Sequence, residues 1–242
     1  MKQDIFFITG TDTGVGKTVL TALLVRYLRE RGVKVAALKP VCSGGRDDAR
    51  VLQTALNGTL TLNEINPWHF RAPIAPLLAA RRERKSVKLS QALAHVRAVR
   101  RRFDVLLVEG AGGLLSPLGE DFDSRDLLVA LRATPWVVCP NRLGAVNQVL
   151  LTLKALPRSA AARARVVLIS PLKPDVSAKT NAGLLAECFD EKRIFLLPWQ
   201  SKGFASERGL KDLRLNRALR GLTHYFLRDS FKGALTKDWR SG

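Results

Sequence analysis

A chain of 242 residues, 46% hydrophobic and 25% charged with only 11 prolines, can bury one substantial core and is too apolar to be disordered or fibrous. Its longest apolar stretches, such as Val105–Val108 and Val166–Ile169, fall far below the roughly 18 residues of a membrane-spanning helix. The amino terminus has no apolar signal core, so a cytoplasmic protein without membrane association is expected. Forty Lys and Arg against 21 Asp and Glu leave a formal charge of +19, which raises a polyanion partner without naming one.

In chain order, Asp4–Thr9 reads as a buried strand, Gly10–Gly16 as a glycine-rich loop, and Lys17–Arg31 as a helix with Gly32 as its carboxyl cap. Val33–Leu38 is a second strand, Ser90–Arg102 a helix, and Asp104–Val108 a third strand ending at Glu109. Trp136–Cys139, Arg165–Ile169 and Arg193–Leu197 continue the strands. Ala145–Leu156, Ala178–Phe189 and the amphipathic Leu210–Leu227 continue the helices. Such alternation predicts an α/β fold: one domain over residues 1–242, with a mostly parallel sheet, helices on both faces and a basic helical tail over 201–242. Ligands in such sheets bind beyond the carboxyl ends of the strands, so the loops there should converge.

Cys42, Cys139 and Cys188 form no C-x-x-C pair, and His69, His95 and His224 stand apart, so neither disulfides nor zinc are expected. The basic residues are spread through Arg81–Lys85, Arg100–Arg102, Arg158, Arg163, Arg165 and the tail beyond Ser201, where ten basic residues face four acidic ones. Solvated helix faces are the favoured reading of this spread, and a nucleic-acid surface is the alternative.

Three loops carry chemistry. Gly10-Thr11-Asp12-Thr13-Gly14-Val15-Gly16-Lys17-Thr18, between strand and helix, is placed as a phosphate-cradling loop must be. Its N–H groups and the helix start supply positive potential, Lys17 reaches phosphate, and Thr18 offers a hydroxyl to Mg²⁺. It holds five residues between Gly10 and Gly16, one more than the common spacing. Val108-Glu109-Gly110-Ala111-Gly112-Gly113 ends an apolar strand in a carboxylate, a candidate metal ligand, followed by small residues. Lys39-Pro40-Val41-Cys42-Ser43-Gly44, followed by Asp47-Asp48, places a cation where charge on a transferring phosphoryl group could be neutralised.

Taken together, these segments resemble the dethiobiotin synthetase family over roughly the first 200 residues. Gly10–Thr18 is similar to its lengthened phosphate loop, Lys39–Gly44 to its Lys-Pro-Val-x-Ser-Gly segment, and Asn66-Pro67-Trp68-His69-Phe70 with Ala75-Pro76 to its Asn-Pro and Ala-Pro stretches. Val108–Gly113, Arg142–Asn147 and Pro198-Trp199 match further segments in order. The resemblance implies a homodimeric P-loop NTPase-like enzyme that uses ATP and Mg²⁺ to join 7,8-diaminononanoate to CO₂ or bicarbonate. Carried over by position, Lys17, Lys39 and Thr13 would be catalytic, and Thr18, Asp48 and Glu109 would hold the metal. Gly14, Val15, Gly16, Lys17, Thr18, Val19, Asp48, Glu109, Gly110, Ala111 and Gly112 would bind ATP, with Ser170, Pro198, Trp199 and Gln200 around its base. Thr13 and Ser43 would contact carbamate or diamine. Arg142, Leu143, Gly144 and Asn147 would take the substrate carboxylate from the neighbouring subunit.

Leu77 stands where the family usually has His, Arg84-Lys85 replace a small residue, and Ser170 stands where it offers Asn to the base. Weaker adenine discrimination is therefore expected, since a hydroxyl cannot supply the paired donor and acceptor of an amide. The rival readings are a chromosome-partitioning type of ATPase on DNA or membrane, a cobyric-acid-synthase type of amidating ligase, and a nucleotide-binding regulator. The partitioning type usually has a signature Lys early in its loop, where this chain has Thr11, Asp12 and Thr13.

Overall fold

The computed structural model describes residues 4–200 and 213–230. β1 (Asp4–Gly10) runs into α1 (Lys17–Arg29), followed by β2 (Val35–Leu38). A segment the hydrophobic pattern did not resolve comes next: β3 (Val41–Ser43), α2 (Asp47–Ala55), α3 (Leu62–Ile65), β4 (Trp68–Phe70) and α4 (Pro76–Arg82). The chain returns through α5 (Leu89–Arg100) to β5 (Val105–Glu109), then α6 (Ser124–Ala130), β6 (Thr134–Pro140), α7 (Ala145–Ala155), α8 (Arg158–Ala161) and β7 (Arg165–Ile169). After α9 (Asn181–Ala186) come β8 (Ile194–Leu197) and α10 (Leu213–Ser230).

Six strands form one sheet in the order β2-β5-β1-β6-β7-β8, and every pairing is parallel. Val105–Glu109 is buried at all five positions, as a strand covered on both faces must be. In α1, Leu20, Leu23, Leu24 and Leu28 recur at helical spacing and are fully buried, each worth about 1.5–3 kcal/mol of transfer free energy. The helix closes as expected at Gly32, whose φ of 74° lets its N–H reach Arg29 O at 2.9 Å while the Val33 N–H reaches Leu28 O at 3.1 Å. Trp136, fully buried, meets Phe6 edge-on at 5.5 Å.

The expected helix Ala178–Phe189 is divided. Residues Val176–Lys179 form a 3₁₀ turn started by the Asp175 carboxylate, which accepts the Ala178 N–H, and α9 follows as a separate short helix. Buried Asn181 donates to Asn141 Oδ1 and Arg142 O, both at 3.0 Å, so polar pairing fixes this segment where an amphipathic stripe was read. The start of the last expected helix, residues 210–212, lies outside the described residues.

β1 lies between β5 and β6, and the chain crosses from β1 to the outer strand β2 before returning to β5. Strand order reverses there, so the loops after β1, β2 and β5 open onto one crevice at the carboxyl edge.

Candidate functional site

The crevice is a cavity of about 690 Å³ lined by Thr13, Gly14, Gly16, Lys17 and Thr18 of the first loop with Val19 of α1, Lys39, Ser43 and Asp48 of the second, and Glu109, Ala111 and Gly112 of the third. Its first wall depends on glycine. Gly16 adopts φ 99°, and a Cβ there would lie 2.5 Å from Ile169 Cδ1, so no other residue fits without strain. Val15 is buried beneath the loop, and Gly110 packs on Phe7 and Ser124 rather than into the cavity.

Charged groups meet at the cavity floor. The Lys39 ammonium donates to Glu109 Oε1 at 3.0 Å and to Asp48 Oδ2, and the Thr18 hydroxyl donates to the same Glu109 oxygen at 2.7 Å. Glu109 is 1% exposed, and its second oxygen, Oε2, is buried with no hydrogen-bond partner. Such an oxygen, beside Thr18 and Asp48, is what a hard cation would complete. Among the described residues no group of three or more His, Cys, Asp and Glu could hold a metal, so a cation here would rest on two carboxylates and a hydroxyl.

Burial opposes the Lys39 charge, but Glu109 and then Asp48 outweigh it and hold its pKa above the usual lysine value. Burial likewise opposes the Asp48 charge, and Lys39 overrides it, keeping that carboxyl below its usual range. Lys17 differs. Its ammonium donates to Asp12 O at 2.8 Å and Gly112 O at 2.7 Å, tying the first and third loops together. Burial, with Lys39 adding repulsion, lowers its pKa to about 8 against the attraction of Glu109.

The second loop is braced by residues whose function no motif spelled out. Asn66, fully buried, donates to Lys39 O at 2.7 Å and accepts from Arg46 Nε and Cys42 Sγ, both at 3.2 Å. Val41–Ser43 pairs with Trp68–Phe70 as a two-stranded parallel sheet. The Ser43 hydroxyl donates to Ile74 O, so its oxygen stays at the cavity wall. Cys42 lines the cavity too, with its thiol pKa pushed up by burial, which suits an inert wall rather than a nucleophile. Ser116 and Pro117 close the far side. The stretch Asn66–Phe70 stands out in the sequence through its resemblance alone, and the physical part of Asn66 is to hold Lys39.

Other expected residues lie outside this cavity. Ser170 follows β7, and Pro198, Trp199 and Gln200 follow β8, at the same edge of the sheet. Arg142, Leu143 and Gly144 form an exposed loop before α7, with Leu143 79% exposed, and Asn147 is exposed in the first turn of that helix. The Leu143 N–H already donates to Asp175 Oδ2 at 2.9 Å. No helix among the described residues is long and apolar enough to cross a membrane, and all three cysteines are free.

A family model described as an AAA domain matches residues 4–203. The chain is 40% identical over 200 residues to the ATP-dependent dethiobiotin synthetase of Anaeromyxobacter dehalogenans (strain 2CP-C), covering 80% of this chain and 89% of that one. It is 36% identical over 170 residues to the enzyme of the same name from Methanocaldococcus jannaschii, covering 69% and 79%. Among solved structures, a ParA family ATPase from Chlorobium tepidum TLS superposes with a TM-score of 0.56 at 12% identity, over 92% of this chain and 99% of that one. The MinD cell division protein of Aquifex aeolicus gives 0.55 at 15%, over 93% and 97%. These last two establish the P-loop NTPase-like fold alone.

Proposed function

The chain belongs to the ATP-dependent dethiobiotin synthetases, and from that premise we propose that its cavity carboxylates a diamine and closes it into a cyclic urea at the expense of ATP. The observation that carries the reading is the meeting of Lys17, Thr18, Lys39, Asp48 and Glu109 in one cavity from three separate loops.

One amine of 7,8-diaminononanoate adds to CO₂ and loses a proton, giving a carbamate. The carbamate oxygen then takes the γ-phosphoryl group of ATP and expels ADP, and the second amine attacks the carbonyl carbon, expelling phosphate as the ring closes. Positioning and charge neutralisation dominate such phosphoryl transfer. Lys39, raised in pKa, keeps its positive charge through any physiological pH and faces the carbamate oxygens. Lys17 and the N–H groups before α1 face the phosphates. Thr13 and Ser43, on the cavity wall, hold carbamate or diamine. Mg²⁺ fits the Thr18, Asp48 and Glu109 oxygens and, when bound, would neutralise phosphate charge; Glu109 Oε2 is the unpartnered atom that favours it.

The adenine would lie near Ser170, Pro198, Trp199 and Gln200, where Ser170 in place of an amide predicts modest preference for ATP over GTP. The substrate carboxylate would meet Arg142, Leu143, Gly144 and Asn147 of a second subunit, whose exposure in one subunit leaves them open to this. The partitioning-ATPase alternative rests on fold likeness at 12–15% identity, against 36–40% for the synthetases.

The test follows the oxygen. With ¹⁸O-labelled bicarbonate, the carbamate route leaves one label in each phosphate released, because the oxygen that attacked phosphorus departs with it. Unlabelled phosphate alongside cyclic urea would exclude the anhydride.

A further inference from the structure

Apart from Lys17 and Lys39, the positive charge finds no use at the cavity, and the fold places part of it in one row. In a wholly parallel sheet, every loop that enters a strand lies at the edge opposite the catalytic loops. Across the sheet, Lys34 precedes β2, Arg101 and Arg102 precede β5, Arg132 precedes β6 and Arg163 precedes β7. Neighbours in the row touch. The Asp104 N–H donates to Lys34 O at 2.7 Å, Arg97 reaches Ala130 O at 3.5 Å, and Arg163 reaches Arg132 O at 3.5 Å. With about 4.8 Å between strands, β2 to β7 spans about 19 Å. Arg158 of α8 extends the exposed surface.

Lys34, Arg97, Arg101, Arg132, Arg158 and Arg163 are all exposed, and among the described residues none has a carboxylate partner. Arg102 is the one that does, through Glu64. The segments entering β2, β5, β6 and β7 hold only Glu30 and Asp104 as acids; the segment entering β8, beyond the row, adds Glu187, Asp190 and Glu191, of which Asp190 pairs with Arg193. Complementing helix carbonyls explains Arg97 in the last turn of α5 and Arg163 on Ser159 O. It does not explain Arg132. That residue occupies the left-handed position closing α6, φ 51°, where its N–H reaches Val129 O and the Ala133 N–H reaches Leu128 O. Glycine would sit there without strain, so an arginine keeps its charge at a cost of about 1 kcal/mol.

We propose that this amino edge of the sheet binds the phosphate backbone of double-stranded nucleic acid, without sequence preference and independently of ATP. Guanidinium groups pair with phosphates in bidentate fashion. Phe103, the aromatic residue in the row, is buried, so the row offers no platform for stacking unpaired bases, which favours a duplex over a single strand. The proposal stands apart from the reading of the cavity.

Fluorescence anisotropy of the full chain with a fluorescein-labelled DNA duplex of random sequence, from low to moderate KCl, tests it. Affinity should fall with a log–log slope of roughly −3 to −5, about 0.9 per phosphate contacted. The combined variant Arg101→Gln, Arg132→Gln, Arg163→Gln should bind at least tenfold more weakly, with the slope flattened by about 2.7, while ATP turnover is unchanged. Should that variant fold poorly, Lys34→Gln with Arg158→Gln serves, with a loss of several-fold expected. Replacing Lys232, Lys237 and Arg240 with Gln should change affinity less than threefold. No duplex binding at low salt, binding untouched by the row variants, binding lost in the tail variant, or binding only to vesicles containing phosphatidylglycerol would each overturn the proposal.

Discussion

Replacing Lys39 with Met removes the ammonium that joins Glu109 to Asp48 while keeping most of the side-chain volume. The Lys39 and Glu109 side chains are 7% and 0% exposed, with Nζ and Oε1 3.0 Å apart. At an effective dielectric of 20, attraction at that distance is about 5.5 kcal/mol. The Asp48 contact, to a half-exposed carboxylate, is screened by solvent and adds less. After relaxation, removing one partner of such a buried pair costs about 3–5 kcal/mol, because the other charge is left uncompensated. In a chain of this size that lowers Tm by about 6–20 °C. Adding Glu109→Gln to Lys39→Met removes the orphaned charge and should recover at least half of the loss, although neither variant turns over. Thermal melts of the parent, single and double variants measure this directly. A Lys39→Met protein melting within 2 °C of the parent, or a double variant no more stable than the single, would refute the buried ion pair as the link between the second and third loops.

Gly16→Ala should cost about 2–4 kcal/mol and raise the KM for ATP, since its Cβ meets Ile169 at 2.5 Å in a backbone of φ 99°; a melt and steady-state kinetics check both. With its pKa lowered to about 8 by burial, Lys17 is charged below that pH and loses charge above it, so ATP binding to the free enzyme should weaken as pH rises from 7 to 9.5. Lys17→Arg, charged throughout, should flatten that profile, and a flat profile in the parent would contradict the assignment. Asn66→Leu strips the donor from Lys39 O and the acceptor from Arg46, so a loss of about 2–3 kcal/mol is expected in urea titrations.

The strands of the main sheet were legible because each is an apolar run with punctuation at its ends: Val105–Val108 before Glu109, and Ile5–Ile8 before the Gly10 loop. Their convergence followed from parallel topology, which puts every strand's exit at one edge. The small sheet was not legible, since three-residue strands such as Val41–Ser43 carry too little alternation to stand out from loop. Nor was the division of the Ala178–Phe189 segment, where hydrogen bonds of Asp175 and Asn181 override an apolar pattern of helical period. At the site, Lys17, Thr18 and Glu109 announced themselves through loop context. Asn66 was marked only by the resemblance of its stretch, and its bracing role was not legible, because an asparagine acting on a distant backbone carbonyl leaves no periodic or spacing signal. The amino-edge row was hidden for a similar reason: Lys34, Arg101, Arg132 and Arg163 are scattered along the chain and meet only through strand order.

The central claim is that diamine and ATP react in this cavity, and the most direct measurement is phosphate release with ATP, Mg²⁺ and bicarbonate, with and without 7,8-diaminononanoate, alongside the mass of the product. Release that requires the diamine, matches the cyclic urea one to one and vanishes in Lys39→Met is the predicted result. Phosphate release indifferent to the diamine, or cyclic urea still made by Lys39→Met at the parent rate, would contradict it.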